Sequence, residues 1–336
     1  MVKTPRRDIV AQQNDPEAAM TEALAAPRLN PAKFRDPQVT AVGEKRAQVA
    51  LKALETLWFN TGTLCNLTCA NCYIESSPTN DRLASLSATE VSRYLDELEA
   101  LRLGTELIGF TGGEPFMNRD LPAMLDDVLS RGLEAIVLTN AMAAMRHQKA
   151  ALLALRERYG KRLTLRVSLD HYGRAVHELE RGGRSWQPTI DGLKWLAENG
   201  FSINVASRYL SGEPEAAIRA GFRQLFAKLA IPIDAGDPVQ LMIFPEMDAT
   251  VDVPEITTAC WGILSKSPDS VMCATSRMVV KHKGAARPSV MACTLLPYDP
   301  LWDLGPSLTG ASGAVPLNHP HCAKFCVLGG AACSRG

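Results

Sequence analysis

Three closely spaced cysteines are the residues of this chain with the clearest chemical potential. Cys65, Cys69 and Cys72 follow the spacing Cys-x3-Cys-x2-Cys, so one short loop can direct three thiolates toward one point. Thiolates are the usual protein ligands of iron–sulfur clusters, and cluster proteins hold them through closely spaced cysteines of this kind. A cubane cluster with three protein ligands keeps one iron open to another ligand. The spacing therefore predicts an iron–sulfur cluster with one iron that a small molecule can coordinate.

The same cysteines allow two other interpretations. Structural zinc is one, although such sites usually have four protein ligands, often from paired Cys-x2-4-Cys units. A set of disulfides is the other, but three cysteines form an odd set and the sequence shows no secretory context. The spacing favours the cluster over both and leaves zinc as its main rival.

The cysteine loop and a second motif together resemble one enzyme family. Tyr73 follows the third cysteine, and about 40 residues later the sequence reads Thr111-Gly112-Gly113-Glu114-Pro115. These two motifs, in this order, resemble those of the radical S-adenosylmethionine (SAM) enzymes. The resemblance implies that SAM binds the open iron and that Tyr73, Gly112, Gly113, Glu114 and Pro115 help to form its pocket. It also implies reductive cleavage of SAM to methionine and a 5′-deoxyadenosyl radical, which abstracts hydrogen from a substrate.

The resemblance extends to the ends of later predicted strands. Thr139-Asn140 stands where the family often has Thr-Asn-Gly, and Ser168-Leu169-Asp170 resembles its Ser-Leu-Asp-Gly, with Ala141 and His171 in place of the glycines. A guanidinium can clamp the SAM carboxylate bidentately, and a surface salt bridge is the alternative use. The implied SAM pocket includes Asn140, Ser168, Asp170, Arg181 and Arg208. We expect His171 to be a satisfied structural histidine, and the sequence identifies no catalytic acid or base.

Strand-like and helix-like stretches alternate through the middle of the chain. Strands are predicted over 56–61, 107–110, 135–138, 163–169, 201–207 and 239–244, and helices over 87–101, 120–130, 144–158, 186–198 and 214–229. This α/β alternation predicts a parallel sheet wrapped by helices, and it matches the partial (β/α)6 TIM-like barrel of the radical SAM family. An open doubly wound sheet is the alternative. In both folds, ligands gather at the carboxyl ends of the strands, where the motifs lie.

A second group of cysteines lies beyond residue 255. Residues 277–280 and 290–293 predict a β-hairpin flanked by Cys273 and Cys293, and Cys322, Cys326 and Cys333 follow. The pattern resembles the auxiliary-cluster extensions called SPASM or Twitch domains, with Cys-x3-Cys in place of their usual Cys-x2-Cys. It implies an auxiliary [4Fe–4S] cluster bound by Cys273, Cys293 and two of the last three cysteines, with Cys260 as a further candidate. Four thiolates also suit structural zinc, and the nearby His319 and His321 keep that alternative open.

Composition restricts the remaining possibilities. The 336 residues are 46% hydrophobic and carry a formal net charge of zero, which gives no general attraction to nucleic acid. The chain has no run of 18 apolar residues, so no membrane span is expected, and nine cysteines without an export signal predict a cytoplasmic protein. We expect a flexible tail over 1–40, the radical SAM barrel over 41–250 and an auxiliary-cluster domain over 251–336.

These features predict a radical SAM enzyme, an oxidoreductase or maturase, that oxidises, cross-links or rearranges a peptide or small-molecule substrate. Its expected electron donor is a flavodoxin or a ferredoxin. A radical SAM methyltransferase or nucleic-acid-modifying enzyme is one alternative, which the neutral charge disfavours. A non-catalytic metal-binding scaffold is another, although a scaffold has no need of the turn at 112–115.

Overall fold

A computed structural model describes residues 27–330 of the protein, and its centre is one eight-stranded sheet. The barrel part of this sheet consists of six parallel strands: β2 Thr56–Asn60, β3 Leu107–Thr111, β4 Glu134–Thr139, β5 Leu163–Ser168, β6 Ser202–Arg208 and β7 Leu241–Phe244. They lie side by side in the order in which they occur in the chain. This order confirms the predicted partial barrel, because a doubly wound sheet reverses its strand order partway.

Helices fill every interval between consecutive parallel strands. They are α1 Ala88–Leu101, α2 Leu121–Ser130, α3 Ala143–His147, α4 Lys149–Tyr159, α5 Arg174–Arg181, α6 Trp186–Glu198 and α7 Glu215–Leu229. The helix predicted over 144–158 is divided at Gln148, which ends α3 and precedes α4. Helix α5 was not predicted, because it is short and strongly polar. It nevertheless carries residues of the site described below.

Helix α1 begins where the sequence predicts. Glu90 N donates to Ser87 Oγ at 3.3 Å, and Ser87 N donates to Glu90 Oε2 at 2.9 Å. This reciprocal pair is the capping box expected from a serine three residues before a glutamate. The cap fixes the start of the helix that carries the chain from β2 to β3.

Strands β2 and β3 are buried on both faces. Phe59 and Phe110, on adjacent strands, stack on the helix-facing side with ring centroids 5.7 Å apart. On the other side Trp58 covers Gly109, where a Cβ would lie 2.3 Å from the indole ring. Two-sided burial explains why these strands read as continuous apolar runs rather than as alternating patterns.

The predicted β-hairpin forms and also extends the barrel sheet. Strand β8 Ser276–Val280 pairs in parallel with β2, and β9 Ser289–Met291 pairs antiparallel with β8. A second, two-stranded sheet joins β1 Gln48–Val49 to β10 Val315–Pro316. Because this sheet is shared, the C-terminal region continues the barrel sheet from residue 276 onward. The predicted domain boundary at residue 250 stays a prediction.

The remaining elements of the C-terminal region are short. Helix α8 Cys260–Ile263 precedes β8, and the described chain ends in a π-helix, Cys322–Leu328. π-Helical turns are rare and occur mostly at functional sites.

Residues 1–26 of the predicted tail lie outside the described residues, and residues 27–40 are packed against the C-terminal region. Glu255 accepts hydrogen bonds from Phe34 N and Ala41 N, each at 2.7 Å, and forms a buried ion pair with Arg46. A buried carboxylate thus holds the backbone of this part of the predicted tail, and the boundary at residue 40 stays a prediction. Within residues 27–330, no helix is long and apolar enough to cross a bilayer.

Candidate functional site

The carboxyl ends of the parallel strands open into one cavity of about 1100 Å³, counting the space open to solvent. Most of the predicted site residues form its wall: Cys65, Cys69, Cys72, Tyr73, Gly112, Gly113, Asn140, Ser168, Asp170, Arg181 and Arg208. Glu114 and Pro115 do not line it. The fold thus brings together residues that are up to 143 positions apart in the chain, because they lie at or beyond the carboxyl ends of neighbouring strands of one sheet.

The cysteine loop directly follows β2. Leu67 N donates to Cys65 Sγ at 3.4 Å, and Ser76 N donates to Cys72 Sγ at 3.3 Å. Burial raises the pKa of Cys65 to about 12 and that of Cys69 to about 11, so both are neutral thiols until a metal displaces their protons.

Three sulfur donors on one wall fit an iron–sulfur cluster. Residues 27–330 contain no group of three His, Cys, Asp or Glu side chains gathered around a single-ion position. The residues that would hold a cluster here are Cys65, Cys69 and Cys72, which line the cavity together and already receive backbone N–H donors on two of their sulfurs. Such donors are among the features that tune a cluster when one is bound.

The two glycines of the second motif allow its turn to touch the cysteine loop. Gly113 N donates to Gly62 O at 2.8 Å, and Glu114 N donates to Leu64 O at 3.1 Å. A Cβ on Gly113 would lie 2.1 Å from Leu64 O, and one on Gly112 would lie 2.5 Å from Gly62 O. Glycine is therefore required for the loop and the turn to form one wall.

Glu114 supports the wall from behind. Its carboxylate accepts hydrogen bonds from Thr139 Oγ1 at 2.8 Å, Asn140 N at 2.8 Å and Phe116 N at 3.2 Å. Burial raises the pKa of this carboxyl to about 7 against the effect of these donors. The side chain thus ties the second motif to the end of β4, and the cavity wall nearest to it is the backbone of Gly112 and Gly113. Pro115 begins a buried 3-10 turn, Pro115–Met117.

Asn140 connects the end of β4 to the cysteine loop. Its Nδ2 donates to Asn66 Oδ1 at 2.8 Å, and its Oδ1 accepts from Met142 N at 3.0 Å. The next residue, Ala141, has the left-handed backbone conformation, with φ of 57°. The site therefore keeps the backbone geometry that the expected glycine would provide, at the cost of some strain.

Both candidate arginines form ion pairs at the cavity wall. Arg181 donates through Nε and Nη2 to the two oxygens of Asp170, at 2.5 and 3.1 Å. Arg208 Nη1 donates to Glu180 Oε1 at 2.7 Å and to Asn71 O at 3.1 Å. A guanidinium has five N–H donors, so each arginine keeps donors for a ligand carboxylate.

Glu180 is a site residue that the sequence did not reveal. Its buried carboxylate accepts from Asn71 N at 3.0 Å and from Asn71 Nδ2 at 2.7 Å, while its carbonyl accepts from Ala70 N at 2.8 Å. It thereby clamps the segment between Cys69 and Cys72 onto α5. A prediction of α5 would have been the only signal, since the contact depends on where that helix packs.

His171 lies outside the cavity wall and has both ring nitrogens engaged. Gly173 N donates to Nδ1 at 2.9 Å, so Nε2 carries the proton and donates to Glu213 Oε2 at 2.8 Å. Tyr172 donates to the other oxygen of the same carboxylate at 2.6 Å. The histidine is therefore a satisfied structural residue, as expected.

A second cavity, of about 370 Å³, contains the C-terminal cysteines. Cys273, Cys293, Cys322 and Cys326 all line it, together with His321. Cys322 and Cys326 lie four positions apart on the π-helix, so the Cys-x3-Cys spacing places both thiols on one face of a helix.

The two other C-terminal candidates differ from these four. Cys260 does not line the second cavity, and its Sγ accepts from Thr257 N at 3.4 Å. Cys333 lies outside the described residues. The donor set at this cavity, four thiols on one wall, fits an iron–sulfur cluster; burial raises the pKa of Cys273 to about 11, so a bound metal must displace its proton.

Residues 59–220 match the family model described as the radical SAM superfamily. This match covers the cysteine loop, the glycine turn and the strand ends that form the first cavity. This part of the chain is a radical SAM domain. Enzymes of this superfamily bind a [4Fe–4S] cluster and SAM.

The sequence is also similar to that of the antilisterial bacteriocin subtilosin biosynthesis protein AlbA of Bacillus subtilis (strain 168). The two are 33% identical over 143 residues, which is 42% of this chain and 30% of AlbA. The chain thus matches less than a third of the length of this relative.

Solved structures of two proteins show the same fold. Streptococcus suis SuiB bound to S-adenosylmethionine has a TM-score of 0.56 and 13% identity, covering 76% of this chain and 63% of SuiB. The same protein bound to its precursor peptide SuiA has a TM-score of 0.53. Native anSMEcpe with bound AdoMet has a TM-score of 0.53 and 14% identity, covering 76% of this chain and 79% of that one.

Proposed function

We propose that this protein cleaves SAM reductively at a [4Fe–4S] cluster held by Cys65, Cys69 and Cys72 and then abstracts hydrogen from a peptide side chain. The observation that carries the proposal is the first cavity, in which the three cysteines share one wall with the glycine turn and the ends of β4, β5 and β6. When bound and reduced, the cluster supplies the electron that splits SAM into methionine and a 5′-deoxyadenosyl radical.

The chain's own residues hold SAM in this proposal. The backbone of Gly112 and Gly113 offers carbonyl acceptors for the amino group of SAM. Ser168 and Asn140 line the same wall and offer side-chain hydrogen bonds to its polar groups. Arg181 and Arg208 offer guanidinium donors for its carboxylate. These groups fix the position of SAM, while the closed strand ends limit the access of water.

The apolar part of the cavity lining is suited to an apolar substrate group. It includes Leu138, Phe244, Pro245, Met247, Leu295 and Phe325. The rings of Phe244 and Phe325 stack with centroids 5.5 Å apart, so the barrel and the C-terminal region build this part of the lining together. SuiB, which has the same fold, binds its precursor peptide SuiA, and AlbA takes part in bacteriocin biosynthesis. These likenesses support a peptide substrate over a free metabolite.

The second cavity is proposed to hold an auxiliary [4Fe–4S] cluster. Cys273, Cys293, Cys322 and Cys326 would be its ligands. Leu295 lines both cavities, so the two cavities are adjacent. An auxiliary cluster in the second cavity would be placed to accept the electron that a substrate radical gives up on oxidation. A flavodoxin or ferredoxin would reduce the SAM cluster.

The test compares three cysteine variants after anaerobic reconstitution with iron and sulfide. We expect Cys69→Ala to abolish formation of 5′-deoxyadenosine and Cys326→Ala to retain it while losing about half of the bound iron. Cys260→Ala is the matched control, because Cys260 lies outside both cavities, and it should retain both properties. Reconstituted wild-type protein that forms no 5′-deoxyadenosine would contradict the proposal, and so would unchanged iron content in Cys326→Ala.

A further inference from the structure

Arg277, on β8, is a buried cation whose side chain hydrogen-bonds only to backbone carbonyls; it does not line the second cavity but reaches the backbone of Cys273, which does. The arginine residue is 1% exposed. Nη1 donates to Cys273 O at 2.6 Å and Ser276 O at 2.8 Å, and Nε donates to Ala311 O at 2.9 Å. A longer bond joins Nη2 to Gly313 O at 3.4 Å. All of these hydrogen-bond acceptors are neutral.

The positive charge of Arg277 has no carboxylate partner in the part of the chain that the structure describes. None of the ion pairs among residues 27–330 includes it. Burial of an unpaired charge is strongly unfavourable, and arginine does not escape by losing its proton. Its Nη1 donates to the backbone of Cys273, one of the proposed cluster ligands. A negatively charged cluster held by that cysteine would supply the compensating charge.

A buried group in the lining of the second cavity also lacks a partner. His321 lines the cavity, and its Nδ1 is buried without a hydrogen-bond partner within residues 27–330. Buried polar atoms are nearly always satisfied, so a group in the cavity is the natural partner of this nitrogen. His321 in the lining, and the charge of Arg277 behind the backbone of Cys273, together favour a polar, negatively charged occupant.

We propose that Arg277 is the buried counter-ion of the auxiliary cluster and that its charge raises the reduction potential of that cluster. This inference rests on the proposed function of the second cavity. Four thiolates give a [4Fe–4S] cluster a net negative charge, and reduction adds one more electron. A fixed cation nearby makes that addition easier, since net charge is one of the factors that set cluster potentials.

A raised potential suits an oxidative reaction. Hydrogen abstraction from the substrate by the 5′-deoxyadenosyl radical forms 5′-deoxyadenosine and leaves a substrate radical. Transfer of one electron from that radical to the auxiliary cluster, with release of one proton, completes a two-electron oxidation. The cation at Arg277 favours this transfer by stabilising the reduced cluster.

The test isolates the auxiliary cluster in full-length protein that carries Cys65→Ala, Cys69→Ala and Cys72→Ala. Potentiometric titration, monitored by electron paramagnetic resonance, measures the reduction potential of the auxiliary cluster in this parent protein and in the parent with Arg277→Lys or Arg277→Gln. Removal of the charge in Arg277→Gln should reduce the equilibrium constant for one-electron reduction at least tenfold, which is about 59 mV. Arg277→Lys keeps the charge, so its reduction potential should stay close to that of the parent.

A surface variant tests the same charge without removing the buried bonds. Ser312 is exposed and lines one groove with Arg277. Ser312→Glu places a carboxylate near the guanidinium and should shift the equilibrium in the same direction as Arg277→Gln, by a smaller factor. Ser312→Gln is the neutral control and should leave it unchanged. This pair keeps the inference testable where Arg277→Gln yields little folded protein.

The outcomes separate this inference from the function that it rests on. A background variant without iron and sulfide would overturn both the auxiliary cluster and the role of Arg277. A loaded cluster whose potential is the same in Arg277→Gln and Ser312→Glu as in the parent would overturn the role of Arg277 alone. An equal fall of the reduction potential in Arg277→Lys and Arg277→Gln would also overturn the role of Arg277, because geometry rather than charge would then be responsible.

Discussion

Glu180 accepts hydrogen bonds from both the backbone N–H and the side-chain amide of Asn71, at 3.0 and 2.7 Å. One buried carboxylate thereby fixes the loop between Cys69 and Cys72 to helix α5. The same carboxylate forms an ion pair with Arg208 at the end of β6. The position of the cysteine loop therefore depends on a strand and a helix that lie more than 100 residues further along the chain.

Loss of this carboxylate should release the cysteine loop. Removing one partner of a buried ion pair typically costs about 3–5 kcal/mol, because the other charge is left uncompensated. We expect Glu180→Gln to lower the iron content of the first site and to reduce the rate of 5′-deoxyadenosine formation at least tenfold. Iron and sulfide analysis after reconstitution, together with chromatography of the nucleoside product, measures both effects.

Glu178 provides a matched control on the same helix. Its carboxylate pairs with Arg174 on the other side of α5 and does not line the first cavity. Glu178→Gln should therefore keep its iron content. Equal loss of iron from both variants would mean that α5 needs its acidic residues for folding and that Glu180 has no special part in holding the loop.

The position of each motif was predictable, whereas most of the contacts between motifs were not. The cysteine loop, the glycine turn and Ser168 each follow a predicted strand, and parallel strands end at the same edge of a sheet. Their gathering around one cavity follows from that rule. The clamp by Glu180 and the burial of Arg277 depend on which helix or strand packs beside them. A short polar helix and a lone arginine give no periodic signal of such packing.

Steric contact at Gly113 gives a second prediction. A Cβ there would lie 2.1 Å from Leu64 O, a backbone atom of the cysteine loop that cannot rotate away. We expect Gly113→Ala to separate the turn from the loop and to lower the rate of SAM cleavage at least tenfold, with a destabilisation of about 1–3 kcal/mol typical of overpacking. Denaturant unfolding and the 5′-deoxyadenosine assay are the measurements.

The control for this substitution is a glycine with open space around it. Gly262 lies inside α8, and a Cβ on it would meet no atom within 4 Å. Alanine is the better helix former by about 0.5–1 kcal/mol, so Gly262→Ala should leave SAM cleavage unchanged and stability equal or higher. Full activity in Gly113→Ala would show that the turn and the loop need not touch.

The buried carboxyl of Glu114 predicts a pH dependence of stability. Burial raises its pKa to about 7 in the folded protein, against 4.5 for the ordinary group. Between these values the folded state binds the proton more strongly than the unfolded state does. The free energy of unfolding should therefore fall as the pH rises from about 4.5 to 7, by about 3 kcal/mol from this group. Its contribution is fully present below that range and lost above it.

Glu114→Gln removes the titration and is the variant to compare. At pH 5 the protonated carboxyl still has lone pairs on both oxygens for its three donors, whereas the NH2 group of the amide accepts none, so the variant should be less stable at this pH. Because the wild type loses stability as the pH rises and the variant does not, the difference between them should shrink toward pH 8. Urea unfolding of both apoproteins at several pH values measures this difference. A difference that grows with pH would mean that the three donors outweigh burial and hold the carboxyl ionised, which would make Glu114 a fixed negative charge behind the cavity wall.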